Sequence, residues 1–183
     1  MSIKVAIIAT VAAEPKHVML GRTLLQKKLY FVAVLTREDF GYGPYFYGPY
    51  SSVVSAELGA LQAAGFVEES SKPLGGVNEF GDVRRYDYGL GEGYELFLTR
   101  HPDDAARYQA ALDRINDGRV SQDARLLSIA AKVHLILSDH GGAPTQEIRE
   151  EAKALGWQLS ESDIKRVREY LRGFEAAGTP ATV

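Results

Sequence analysis

The tetrapeptide Tyr-Gly-Pro-Tyr occurs twice within nine residues, at 42–45 and 47–50, inside the stretch FGYGPYFYGPYSS (40–52). Two prolines and three glycines bar a continuous helix or a central strand here, because proline lacks a ladder donor and glycine favours turns. The chain must therefore pass from one element to the next through an aromatic loop. At 45% hydrophobic residues over 183 positions, it has material for a packed core around that loop.

The segments on either side read as helices. In RTLLQKKLYFVAVL (22–35), Leu25, Leu29 and Val32 recur at i, i+4 and i+7. Arg22, Gln26 and Lys27 cluster away from that stripe. In SSVVSAELGALQAAG (51–65), Val54, Leu58 and Leu61 form an inward stripe. Pro49 suits a first helical turn, Ser51 or Ser52 suits an N-cap, and Gly65 suits a left-handed stop. Ile3 to Val11 is so uniformly apolar that periodicity cannot separate a buried helix from a strand.

After the third segment, FVEES (66–70) reads as a short strand. GGVNEFGDVRRYDYGL (75–90) reads as a hairpin, with Val77 to Phe80 and Val83 to Leu90 flanking a Gly81-Asp82 turn. Three helices followed by a small hairpin is the order of a winged helix. The expected class is mainly α (α+β), with a winged-helix-like domain over 1–100 and a helical unit over 101–183.

Within that second unit, Pro102 opens a helix to about Asn116, Ser121 caps another to about Ser138, and Thr145 caps a third. Ser160 and Asp163 form a capping box for the last helix, from Glu161 onward. Helix, glycine-containing turn and helix suggest a second helix-turn-helix. LGALQAAG (58–65) and LRGFEAAG (171–178) echo one another, which fits either a tandem pair of such units or two ordinary helix ends.

The residues around the loop resemble the Panacea domain family of bacterial antitoxin-like proteins. The resemblance rests on GRTLLQKKLYFV (21–32) and FYGPYSSVVSAELGALQAAGFVEE (46–69). Its parts are Leu25, Gln26 and Lys27 with Tyr30, then Tyr47, Gly48, Pro49, Tyr50 and Ser51, and it covers about residues 1–100. It implies a winged-helix-like domain that meets a partner protein by direct contact, as a toxin-neutralising protein or an adaptor. The first Tyr-Gly-Pro-Tyr lies outside the pattern. Because tyrosine combines large area with few rotors, Tyr42, Tyr45, Tyr47 and Tyr50 are the candidate contact residues, with Tyr42 and Tyr45 the strongest.

The alternative is a DNA-binding regulator. Residues 51–64 contain no Lys or Arg, so the would-be reading helix is poorly equipped. Arg84 and Arg85 in the hairpin and Lys165, Arg166, Arg168 and Arg172 in the last helix are the candidate nucleic-acid contacts. Residues 1–51 hold six basic against three acidic residues and residues 52–183 hold fifteen against twenty-one, so neither part has a marked basic face.

Catalysis, metal binding and cofactors are not expected. GLGEGY (89–94) lacks the third glycine of a dinucleotide loop, the four histidines form no metal-spaced pair, and cysteine is absent. Absence of cysteine fits a cytoplasmic setting, and no apolar run is long enough for a membrane span. Homo-oligomers are left open.

Overall fold

A computed structural model describes residues 2–78, 81–140 and 142–175. The protein is mainly helical with one small antiparallel sheet. The ambiguous apolar run is helix α1 (Ser2–Ala12), and every residue from Val5 to Val11 is buried. A helix that is apolar all round is a core helix, which is why no stripe appears in its sequence. Thr10 fits there because its Oγ1 donates to the Ala6 carbonyl at 2.7 Å.

A 3-10 turn (Pro15–His17) leads into strand β1 (Val18–Leu20), and Gly21 precedes helix α2 (Arg22–Thr36). Here the amphipathic reading needs correction: all ten residues from Leu24 to Ala33 are buried, including Gln26, Lys27 and Lys28. The polar face is covered by the loop and by the second half of the chain, and each polar head is satisfied there. Lys28, for example, donates to Glu14 and, at 2.8 Å, to Asn116 Oδ1.

Helix α3 (Ser52–Ala63) starts at Ser51, whose Oγ accepts from Val54 N at 3.0 Å. Gly65 follows with φ +75°, as the stop signal implied. Pro49 is not in the first turn; it lies two residues before the N-cap. Strand β2 (Val67–Asn78) then merges what the sequence suggested as two strands, and β3 (Gly81–Leu90) returns beside it with an irregularity between Pro73 and Val77. Gly81 and Asp82 pair within the sheet instead of forming the turn, and Phe80 lies outside the described residues. Strand β1 adds to the other edge of β3, giving the order β1-β3-β2.

Helix α4 (Tyr94–Thr99) was not signalled by the sequence. Helix α5 (Pro102–Asn116) has its expected bounds. Ser121 belongs to a 3-10 turn (Arg119–Gln122), while Asp123 accepts from Arg125 N and Leu126 N to start α6 (Ala124–His140). Pro144, not Thr145, occupies the cap position of α7 (Thr145–Ala154). Ser160 Oγ accepts from Asp163 N at the start of α8 (Glu161–Glu175), as the capping box required. The Ala-Ala-Gly at 176–178 lies outside the described residues.

One core runs through both halves. Val5 and Ile8 of α1 and Phe31 of α2 belong to the same buried cluster as Tyr108 and Leu112 of α5, Leu127 and Ile136 of α6, and Val167 and Leu171 of α8. Among the described residues, no helix is long and apolar enough to cross a membrane.

Candidate protein-contact site

Residues 37–51 connect α2 to α3, and from residue 40 onward they form a loop closed at its base. Gly43 and Tyr50 exchange both backbone hydrogen bonds, at 3.1 and 2.9 Å, so residues 44–49 project as a tip. Below this closure, Phe40 is buried and its carbonyl accepts from Ser51 Oγ. The Gln26 side chain reads the backbone of Ser51 from both sides: Oε1 accepts from Ser51 N at 3.2 Å, and Nε2 donates to Ser51 O at 3.1 Å and Ser55 Oγ at 3.0 Å. The Leu-Gln-Lys segment and the Tyr-Gly-Pro-Tyr-Ser segment are thus two sides of one joint.

Three further side chains hold carbonyls of the tip. Trp157 Nε1 donates to Tyr45 O at 2.8 Å, Ser128 Oγ to Tyr47 O at 2.9 Å, and Lys27 Nζ to Pro49 O at 2.5 Å. They come from the α7–α8 turn, α6 and α2, so the alternate residues of the tip are fixed by three separate elements. Gly48 lies against α6 with φ +99°, where an added Cβ would stand 3.0 Å from Lys132 Cγ. Conformation and space both require glycine there.

The four tyrosines divide into two pairs. Tyr42 turns inward, donating its hydroxyl to the Gln26 carbonyl at 2.8 Å and meeting the Tyr30 ring edge-on with centroids 5.3 Å apart. Tyr50 is half-buried and donates to Ser55 Oγ. Tyr45 and Tyr47 face outward at 51% and 74% exposure, with Phe46 between them at 78%. The exposed aromatic surface is therefore 45–47, and of the two tyrosines favoured from sequence only Tyr45 lies on it.

Burial also sets the protonation of the groups beneath. It pushes the Tyr42 hydroxyl well above its ordinary value and raises Tyr30. His134, whose Nδ1 lies 2.8 Å from Tyr30 Oη, is lowered to about 4 by burial, so it is neutral and able to accept that hydroxyl's hydrogen bond. Lys27 is lowered to about 8, by burial first and then by the charge of Lys132. Lys132 is itself lowered by burial.

The basic candidates lie elsewhere, and three of the six are engaged. Arg84 donates to Ser71, while Arg85 donates to Asp87 at 2.7 and 3.0 Å. On α8, Lys165 pairs with Glu161 at 2.6 Å, and Arg166 and Arg172 are exposed beside a partly exposed Arg168. Phe46, Ser128, Lys132 and Trp157 were not singled out by sequence. Phe46 could have been, since it separates the two tetrapeptides, and Trp157 is the single tryptophan.

No protein-family model matches the chain, and no curated protein matches it.

Proposed function

We propose that this chain is a non-catalytic protein-binding module whose contact surface is the aromatic tip Tyr45-Phe46-Tyr47. The observation that carries the reading is the combination of three outward aromatic side chains with a backbone held at residues 45, 47 and 49. Association ordinarily loses free energy to the ordering of loops and side chains. A tip already fixed avoids much of that loss, and aromatic rings offer large contact area with few rotors. An antitoxin-like or adaptor role in the cytoplasm, as in the Panacea family, is the biological form we give this reading.

The scaffold for the tip, in the same proposal, is a winged-helix-like domain. The order α1-β1-α2-α3-β2-β3, with β1 added to the outer strand of the hairpin, supports it. On such a scaffold α3 is the usual reading helix, yet it carries no Lys or Arg, and its one amide side chain, Gln62, is half-buried in its last turn. That surface favours protein over DNA as the partner. DNA binding keeps one favourable observation, the exposed Arg166 and Arg172 on α8.

Co-purification of the tagged full chain from its native host, with and without nuclease, separates the two. A stoichiometric protein that survives nuclease and moderate salt is the expected result. Nuclease-sensitive nucleic acid, lost steeply between about 50 and 200 mM salt, would transfer the function to α8 and the hairpin.

A further inference from the structure

Two lysines meet beneath the aromatic tip without a carboxylate between them. Lys27 is 2% exposed and its Nζ donates to the Pro49 carbonyl. Lys132 is half-buried, with Nζ 5.5 Å from the centre of the Trp157 ring. Both stems pass the same glycine: a side chain at Gly48 would stand 3.0 Å from Lys132 Cγ and 3.5 Å from Lys27 Cε. Among the described residues neither ammonium has an ion pair, whereas Lys28, next to Lys27 and as deeply buried, is paired with Glu14. Positive charge has been placed at the root of the tip and left uncompensated.

We propose that Lys132, backed by Lys27 and flanked by Trp157, is an anion-receiving subsite, and that the tip receives an acidic protein segment with a carboxylate beside an apolar or aromatic side chain. This rests on the reading of the tip as a protein contact and specifies the partner's chemistry. An incoming carboxylate would meet ammonium groups that the fold has already partly stripped of water, so most of the remaining desolvation falls on the carboxylate alone. The Trp157 ring favours a cation over its face and keeps the Lys132 head beside the tip. Ser128, one turn earlier on α6, fixes Tyr47 through its carbonyl, so the cation and the aromatic side chains keep a set spacing.

A nucleic-acid strand fits this arrangement less well. A phosphate backbone needs a track of cations. Among the described residues Lys132 is the one partly accessible ammonium at the tip, and residues 52–183 carry more acidic than basic groups. A single carboxylate needs only the one.

The test uses the full chain and two matched pentapeptides, acetyl-Glu-Glu-Phe-Glu-Glu-amide and its twin with Gln in place of every Glu, at equal ionic strength. Trp157, the only tryptophan, reports binding by fluorescence, and the Nζ resonance of Lys132 reports it by NMR. The acidic peptide is expected to bind roughly tenfold or more tightly than its twin. Lys132→Met, which keeps the aliphatic stem, and Lys132→Gln should each bring the two peptides within about twofold, while Phe46→Ser should weaken both alike. Equal binding of the two peptides that Phe46→Ser abolishes would overturn the anion subsite and leave the tip as a contact. An acid preference that needs Lys132 but ignores Phe46→Ser would detach the cation from the tip and overturn the proposal from the other side. No saturable binding of either peptide, or an oligothymidine bound through Lys132 more tightly than the acidic peptide, would also overturn it.

Discussion

The two copies of Tyr-Gly-Pro-Tyr are identical in sequence and opposite in placement. In the first, Tyr42 is packed inward and Tyr45 faces solvent; in the second, Tyr47 faces solvent and Tyr50 is drawn in. Their glycines differ as well, since Gly43 forms the backbone bridge to Tyr50 in open space, whereas Gly48 is pressed against Lys132 at positive φ. The copies are the descending and ascending arms of one closed loop. Closure at Gly43 and Tyr50, not the tetrapeptide itself, decides which rings are inside. The sole aromatic side chain between the arms, Phe46, is consequently the most exposed large apolar group of the described residues.

Alanine at each glycine gives the sharpest contrast between the arms. Gly48→Ala must adopt φ near +99° and displace the Lys132 stem, and should lower stability by about 2 kcal/mol in chemical denaturation. Gly43→Ala has no neighbour within 4 Å of the added carbon, and should change stability by less than about 0.5 kcal/mol. Equal losses would mean that the arms are not distinguished as described. Removing single hydroxyls should give the next largest difference: Tyr42→Phe loses the bond to Gln26 O, about 1 kcal/mol, whereas Tyr47→Phe should be neutral.

Proton linkage separates the layers under the arms with a gentler effect. Tyr42 rests on Tyr30, which is hydrogen-bonded to His134, and His134 is held neutral by burial. Its folded value near 4 lies below the ordinary 6.5, so the unfolded chain takes up the proton first and stability should fall as pH drops from about 6.5 toward 4. Under the second arm, Lys27 is lowered to about 8 from 10.5. The unfolded chain then holds more protons than the folded one, and this group's contribution should make stability rise between about pH 8 and 10. Denaturation midpoints across pH for His134→Phe and Lys27→Met should each lose one of these slopes and keep the other. The smallest stability effect belongs to the tip, where Tyr45→Ser and Phe46→Ser should each stay within about 0.5 kcal/mol of the parent chain.

Local signals were legible where a short stretch decides its own geometry. The Ser51 cap, the Gly65 stop, the Ser160 cap of α8 and the bounds of α5 follow from a few neighbouring residues. What sequence missed depends on distant partners. Lys27 and Lys28 look like a solvated face until the loop and α5 cover them, and α1 has no periodic signal because it is enclosed on all sides. The same reason hid half of the candidate site. The aromatic content of 40–52 pointed to a contact surface, but the tip that carries the exposed member of each arm is held by bonds from Ser128 and Trp157, more than 75 residues away in sequence. Tyr42 was favoured for lying outside the second tetrapeptide, and its position below the closure turns it inward.

The proposed contact through a rigid aromatic tip is open to direct measurement. The direct measurement is nuclease-treated capture by the full chain and by the double substitution Phe46→Ser with Tyr47→Ser, with the thermal midpoint of each recorded alongside. An unchanged midpoint and loss of at least about nine-tenths of the retained partner protein is the expected result. A variant that keeps both its midpoint and its partner would contradict it.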